Sequence, residues 1–138
     1  MSQSASPAIV EPPVRAPLWP RVLFRVVATI AAVMLFDQAI FAGQFLSGIY
    51  ASLDLHRENA TYAGISVIAA AVAAVLLWRP GRGPWWPIIA YAVTFGLIGL
   101  QIFLGFAHVL TVHVPLGVAL IMLSTALAVW SWMSRWPR

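Results

Sequence analysis

The chain has 138 residues, of which 62% are hydrophobic and 9% charged, and its mean hydropathy is +0.89. Soluble domains are about 45–50% apolar and roughly 25% charged, so a soluble single-domain fold is excluded. Disorder beyond a tail is excluded too, since it needs low hydrophobicity. At about 20 residues per membrane helix there is room for four spans, short loops and a tail. The chain has no Cys, which removes disulfides, thiolate metal sites and cysteine nucleophiles.

Residues 1–20 are rich in Ser, Ala and Pro (Pro7, Pro12, Pro13, Pro17, Pro20). Proline at that density opposes a helix, and a disordered tail is expected there, with a transmembrane domain over 21–138. The tail lacks the charged start and short apolar core of a cleaved signal peptide.

Four apolar runs follow, at about Val22–Tyr50, Ala60–Trp78, Trp85–Leu110 and Val114–Met133. Each is long enough to span. Helices are expected, because an open sheet leaves its edge unpaired in lipid. The fold class predicted is therefore all-α, a four-helix transmembrane up-down bundle. The first run is overlong, so tilt or projection beyond the bilayer is expected.

All eight basic residues are Arg. Arg15, Arg21 and Arg25 precede the first run, Arg79 and Arg82 separate the second from the third, and Arg135 and Arg138 follow the fourth. Only Arg57 falls in the opposite set of loops. That bias predicts both termini in the cytoplasm of a bacterial inner-membrane protein. All seven Trp (Trp19, Trp78, Trp85, Trp86, Trp130, Trp132, Trp136) fall on the same side, as an aromatic belt does. The net charge of +4 thus reads as a topology signal with affinity for anionic lipid. Nucleic acid is not an expected partner, since no basic module is present.

A repeated helical hairpin is visible. Phe41-Ala42-Gly43 and Phe103-Leu104-Gly105 occupy the odd runs, each with a Gln shortly before, at Gln38 and Gln101. Each even run opens with a His and a small residue four places on: His56 with Ala60, and His113 with Gly117. The first hairpin connection is about six residues longer. The glycines in the runs read chiefly as close-packing positions.

Polar residues inside spans are costly, so each is a candidate site. His56 and His113 fall at the outer ends of the second and fourth helices. In an up-down bundle those helices are diagonal, and two imidazoles reaching inward suit one shared metal. Ala60 and Gly117 lie one turn beneath and leave a gap that a flat macrocycle needs and a bare ion does not. A six-coordinate haem b fits this pattern. Zinc is the alternative, with His108 as a third ligand, but no carboxylate is clearly placed for it. The bland reading makes both His interfacial residues or caps and His108 interfacial, whereas the functional reading of His108 is a contact to a His ligand or to a haem propionate.

Asp37 and Gln38 stand near the middle of the first helix, with Gln44 seven residues on from Asp37 and Gln101 as a cross-bundle partner. They read either as polar glue between helices or as a proton or quinol site. Asp54, Arg57, Glu58 and Asn59 flank His56. They read as a solvated loop, or else Arg57 meets a propionate and Asp54 orients His56. The Arg79–Pro84 segment reads as a tight turn and not a phosphate loop, since that loop's Lys is missing.

Leu55-His56-Arg57-Glu58-Asn59-Ala60, Leu100-Gln101-Ile102-Phe103-Leu104-Gly105 and Val112-His113 resemble one four-helix half of haem A synthase. The layout is also similar to small actinobacterial four-helix membrane proteins of unknown function. The first resemblance spans roughly Val22 to Trp132 and implies a haem-ligand role for His56 and His113. It does not carry over the methyl-oxidising activity, which goes with a second bundle. The outer-loop Cys pair of many members is missing, and Asp54 only approximates their acidic residue before the His. A haem protein for electron transfer or haem handling is expected. The alternative is a haem-free accessory subunit of a larger respiratory or membrane complex, and a homodimer would supply a second bundle.

Overall fold

The computed structural model describes residues 16–135. Most of the expected tail, residues 1–15, lies outside the described residues, as do Trp136 and Arg138. Four α-helices account for nearly all of the rest: α1 (Trp19–Leu46), α2 (Ser52–Trp78), α3 (Trp86–Phe106) and α4 (Leu110–Met133). Each is long and apolar enough to cross a membrane. At 1.5 Å per residue α1 is about 42 Å long and α3 about 31 Å, so α1 exceeds a hydrocarbon core of about 30 Å.

The helix starts differ from the hydropathy pattern for local reasons. Trp19 and Pro20, assigned to the tail by their proline content, form the first turn of α1. Pro is tolerated there because that turn needs no N–H partner. α2 begins eight residues before its apolar run. Asp54 sits in its first turn, where a carboxylate complements the helix dipole, and pairs with Arg57 at 3.5 Å. Asp54, Arg57 and Glu58 are thus helical and exposed rather than in a loop.

α1 and α3 end alike. Gly48 takes φ 94 after α1, and His108 takes φ 57 after α3. In each case the residue beyond reaches back along the helix, Ile49 N–H to Gln44 O and Val109 N–H to Leu104 O, both at 3.0 Å. This is the 6→1 bond of a Schellman cap, which needs a left-handed residue at its centre. The longer first connection is mostly extra helix: α1 runs eight residues past Gln38, and α3 five past Gln101. At the other end the Arg79–Pro84 segment is a tight turn, as expected. A side chain on Gly81 would strike Leu77 O at 2.5 Å.

Each helix packs on two neighbours. α1 and α3 both contact α2 and α4, and the diagonal pairs do not pack. The bundle is therefore up-down with α2 and α4 on one diagonal. Buried positions recur at helical spacing: Phe24, Ala28, Ala31 and Leu35 on α1, and Ala63, Val67, Ala70, Ala74 and Leu77 on α2. Tyr91, Thr94 and Ile98 do the same on α3, and Leu120, Ser124, Leu127 and Ser131 on α4. Small Ala and Ser side chains let these backbones approach. The glycines mostly do not serve this purpose, contrary to expectation. A Cβ on Gly43, Gly64, Gly96 or Gly99 would meet nothing within 4 Å.

The end that carries both termini is closed by aromatic and cationic contacts. Phe24 meets Tyr91 and Trp130 edge-on, and Trp86 lies 4.4 Å from Trp130. These Trp pack into the bundle as well as marking its rim. Arg25 donates to the carbonyls of Ser131 (2.9 Å) and Ser134 (3.2 Å), satisfying orphan acceptors at the end of α4. Its guanidinium also lies over Trp132.

The opposite end is built differently. Buried side chains stop at Leu35 on α1 and Ile98 on α3, and begin only at Leu120 on α4. On α2 only Ser52 and Asn59 are buried before Ala63.

Candidate functional site

His56 and His113 meet in this less-packed half. Each lies in the first turns of its helix, not at the edge of an apolar run, and each is half-buried. Their ring centroids are 6.3 Å apart, with the planes at 61°. The diagonal helices α2 and α4 therefore bring the two imidazoles together, although their backbones do not pack.

Each imidazole is fixed by the Gln of its own hairpin. His56 Nδ1 lies 3.1 Å from Gln38 O, and His113 Nδ1 lies 2.9 Å from Gln101 O. A carbonyl only accepts, so both Nδ1 atoms carry the proton. In return Gln38 Nε2 donates to His56 O at 3.2 Å, and Gln101 Nε2 to His113 O at 2.8 Å. A carbonyl has two lone pairs, so the helical bonds need not break. The result is one reciprocal clasp per hairpin.

This arrangement corrects two expectations. The orienting partner of His56 is the Gln38 backbone, while Asp54 is occupied with Arg57. Gln101 is not a cross-bundle partner of Asp37 or Gln38: it serves His113, while Gln44 accepts from Ser52 Oγ at 2.9 Å.

The small residues have roles the sequence did not reveal. A Cβ on Gly105 would lie 3.0 Å from His113 Cε1, so Gly105 seats the ring. A Cβ on Gly117 would lie 2.8 Å from Gln101 Nε2, so the space beside Gly117 is filled by the Gln101 amide and is not the gap for a flat macrocycle that the sequence suggests. Counting from the two clasps, the positions matching Gly105 and Gly117 in the first hairpin are Ala42 and Ala60. The repeat therefore aligns Gly105 with Ala42 and not Gly43. The hairpin with two glycines has the shorter clasp.

Gln101 Oε1 is buried with no hydrogen-bond partner. An unsatisfied buried acceptor costs about 1–3 kcal/mol, against a gain of about 0.5–1.5 kcal/mol for the bond its amide makes. The two are of similar size, so the amide's bond is largely offset, and what Gln101 provides is the position of His113.

The other polar candidates sit apart. His108 is exposed in the α3–α4 turn, where its role is the cap. Arg57 lies over Phe106 at 6.0 Å. Asn59 Nδ2 donates to Met34 O at 2.8 Å, tying α2 to α1. Asp37 is half-buried and makes no hydrogen bond or ion pair among the described residues, which is not how polar glue behaves.

Two imidazoles with protonated Nδ1 atoms offer two Nε2 lone pairs. A metal stands about 2.0–2.1 Å from each nitrogen, and the nitrogen about 1.1 Å from its ring centre, so rings in line on one metal have centroids roughly 6.2–6.4 Å apart. The observed 6.3 Å fits. Among the described residues no group of three or more His, Cys, Asp or Glu gathers to hold an ion, so the three or four ligands zinc needs are not assembled. Haem iron would need no more than two side-chain ligands, and His56 and His113 are the residues that could supply them. Comparison with protein-family models, curated proteins and solved structures found no match.

Proposed function

We propose that this membrane protein holds a b-type haem between His56 and His113 and serves in electron transfer or haem handling. The observation that carries the reading is the imidazole pair at 6.3 Å with both Nδ1 atoms already engaged. Engagement of Nδ1 by a carbonyl is how metal-bound His is commonly oriented, and it raises the basicity of the other nitrogen. Haem in such a site supplies one-electron transfer. The chain's own residues fix the two donors and hold them on separate hairpins. The half-buried Phe41, Ala42, Phe45, Leu104 and Leu116 belong to this half of the helices. The arginine distribution supports a bacterial inner-membrane location with both termini cytoplasmic, which puts the site near the outer face.

Protein purified from haem-replete cells is expected to show a sharp reduced-minus-oxidised haem spectrum, lost in His56→Ala and in His113→Ala. A flat spectrum, or one that survives both replacements together, rejects the reading.

One observation favours a second role, as a haem-free accessory subunit of a larger membrane complex. Gly43, Gly64, Gly96 and Gly99 present open backbone that the bundle itself does not use, and close helix approach in lipid uses such positions. That role predicts co-purification with a larger assembly, unaffected by His56→Ala and His113→Ala. Isolation as a stable monomer counts against it.

A further inference from the structure

The Gln–His clasps are two separate devices with one design. In each, one helix contributes a side-chain amide and a backbone carbonyl, and the other contributes an imidazole and a backbone carbonyl. The two prongs act together. The amide holds the His backbone at a fixed height against the neighbouring helix, and only at that height does Nδ1 reach the Gln carbonyl. Without the amide that tie between the helices is lost at the level of the ring, and Nδ1 is no longer held against its acceptor.

The devices differ in tightness. The bonds are 2.8 and 2.9 Å around His113, and 3.2 and 3.1 Å around His56. Gly117 leaves room for the Gln101 amide and Gly105 leaves room for the His113 ring. Ala60 and Ala42 place methyl groups at the matching positions of the first hairpin.

We infer that Gln38 and Gln101 are positioning residues that hold His56 and His113 in the Nδ1–H form with Nε2 free, and that the Gly-lined clasp of His113 is the tighter. What the free nitrogens bind rests on the haem reading, but the tautomers do not.

The decisive experiment is nitrogen NMR of the 15N-histidine-labelled, haem-free protein in detergent micelles. Both His56 and His113 are expected to carry the proton on Nδ1. Gln101→Met, which keeps the shape and removes the donor, is expected to move His113 toward the Nε2–H form and leave His56 unchanged. Gln38→Met is expected to do the reverse. Gly117→Ala, which displaces the amide without touching the ring, provides a second route and is expected to mimic Gln101→Met.

In the haem-loaded protein either Gln variant is expected to weaken haem binding about 10–100-fold. The reduction potential should rise as the ligand becomes less basic, with the larger shift in Gln101→Met. Nε2–H tautomers in the parent protein overturn the inference, as do Gln variants with unchanged tautomers. A parent protein with both Nδ1 atoms protonated but no haem spectrum rejects the haem reading and leaves the clasps standing. A haem-binding parent whose Gln variants keep its potential and affinity rejects the clasps alone.

Discussion

Two glycines seven residues or fewer beyond a clasp glutamine look interchangeable in the sequence, yet the structure assigns them opposite responses to alanine. In Gly105→Ala the new methyl carbon would stand 3.0 Å from His113 Cε1 and 3.3 Å from Nδ1, where carbon contacts prefer about 3.5–4.0 Å. A ring that retreats about 0.5 Å stretches its 2.9 Å bond to Gln101 O past the range of about 2.7–3.2 Å for such bonds. Overpacking costs about 1–3 kcal/mol and the weakened bond up to about 1 kcal/mol. Removing a helical glycine returns about 0.8–1 kcal/mol, so the net is a loss of roughly 0–3 kcal/mol. In Gly43→Ala the methyl group meets nothing within 4 Å, and only the gain of up to about 1 kcal/mol remains. Unfolding in mixed micelles, followed by circular dichroism, reads the two signs. Haem retained per protein reads the displaced ligand, which should fall in Gly105→Ala alone. Equal stability shifts, or parental haem retention in Gly105→Ala, would refute the seating role of Gly105.

Three further outcomes are expected. His108→Gly should stabilise the bundle by up to about 1 kcal/mol, since the left-handed cap position costs a side chain that glycine lacks, with haem content unchanged; a loss of haem would show that His108 reaches the site. Arg25→Ala should destabilise by about 1–3 kcal/mol by stranding the Ser131 and Ser134 carbonyls, seen as a lower denaturant midpoint, and an unchanged midpoint removes the seam from the fold's energetics. Asp37→Asn should leave stability and haem content within about 0.5 kcal/mol and experimental scatter of the parent. If electron or proton transfer is nevertheless lost, Asp37 belongs to a proton or quinol site, and if stability falls it is structural after all.

Hydropathy alone located the four helices, because a span of apolar residues has few other uses. It misplaced the start of α2, because Asp54, Arg57 and Glu58 look like a loop until their helical spacing and ion pair are seen. His56 and His113 were legible as a matched pair through the repeat. Their orienting partners were not, since the acceptor is a backbone carbonyl and every residue has one. The signal that was present lay in Gln38 and Gln101, whose matching places in the two hairpins marked them as partners of something. The glycines were misread as a class. Gly105 and Gly117 make room for a ring and an amide, whereas Gly43 and Gly96 face away from the bundle, and only coordinates separate those uses.

The clasps fasten each histidine within a hairpin, whereas Arg25 fastens one hairpin to the other at the end bearing the termini. At the far end the ring and charge contacts that cross between hairpins are the imidazole pair and Arg57 over Phe106. The molecule is in effect a pair of tweezers, pivoted at the arginine seam and tipped with imidazoles. A ligand held by both tips meets them already at the spacing a shared metal needs, so it fastens the tweezers rather than closing them. A mutation at the pivot, about 20 Å along α1 and about 27 Å along α4 from the tips by residue count, is then expected to be felt there as a change in grip.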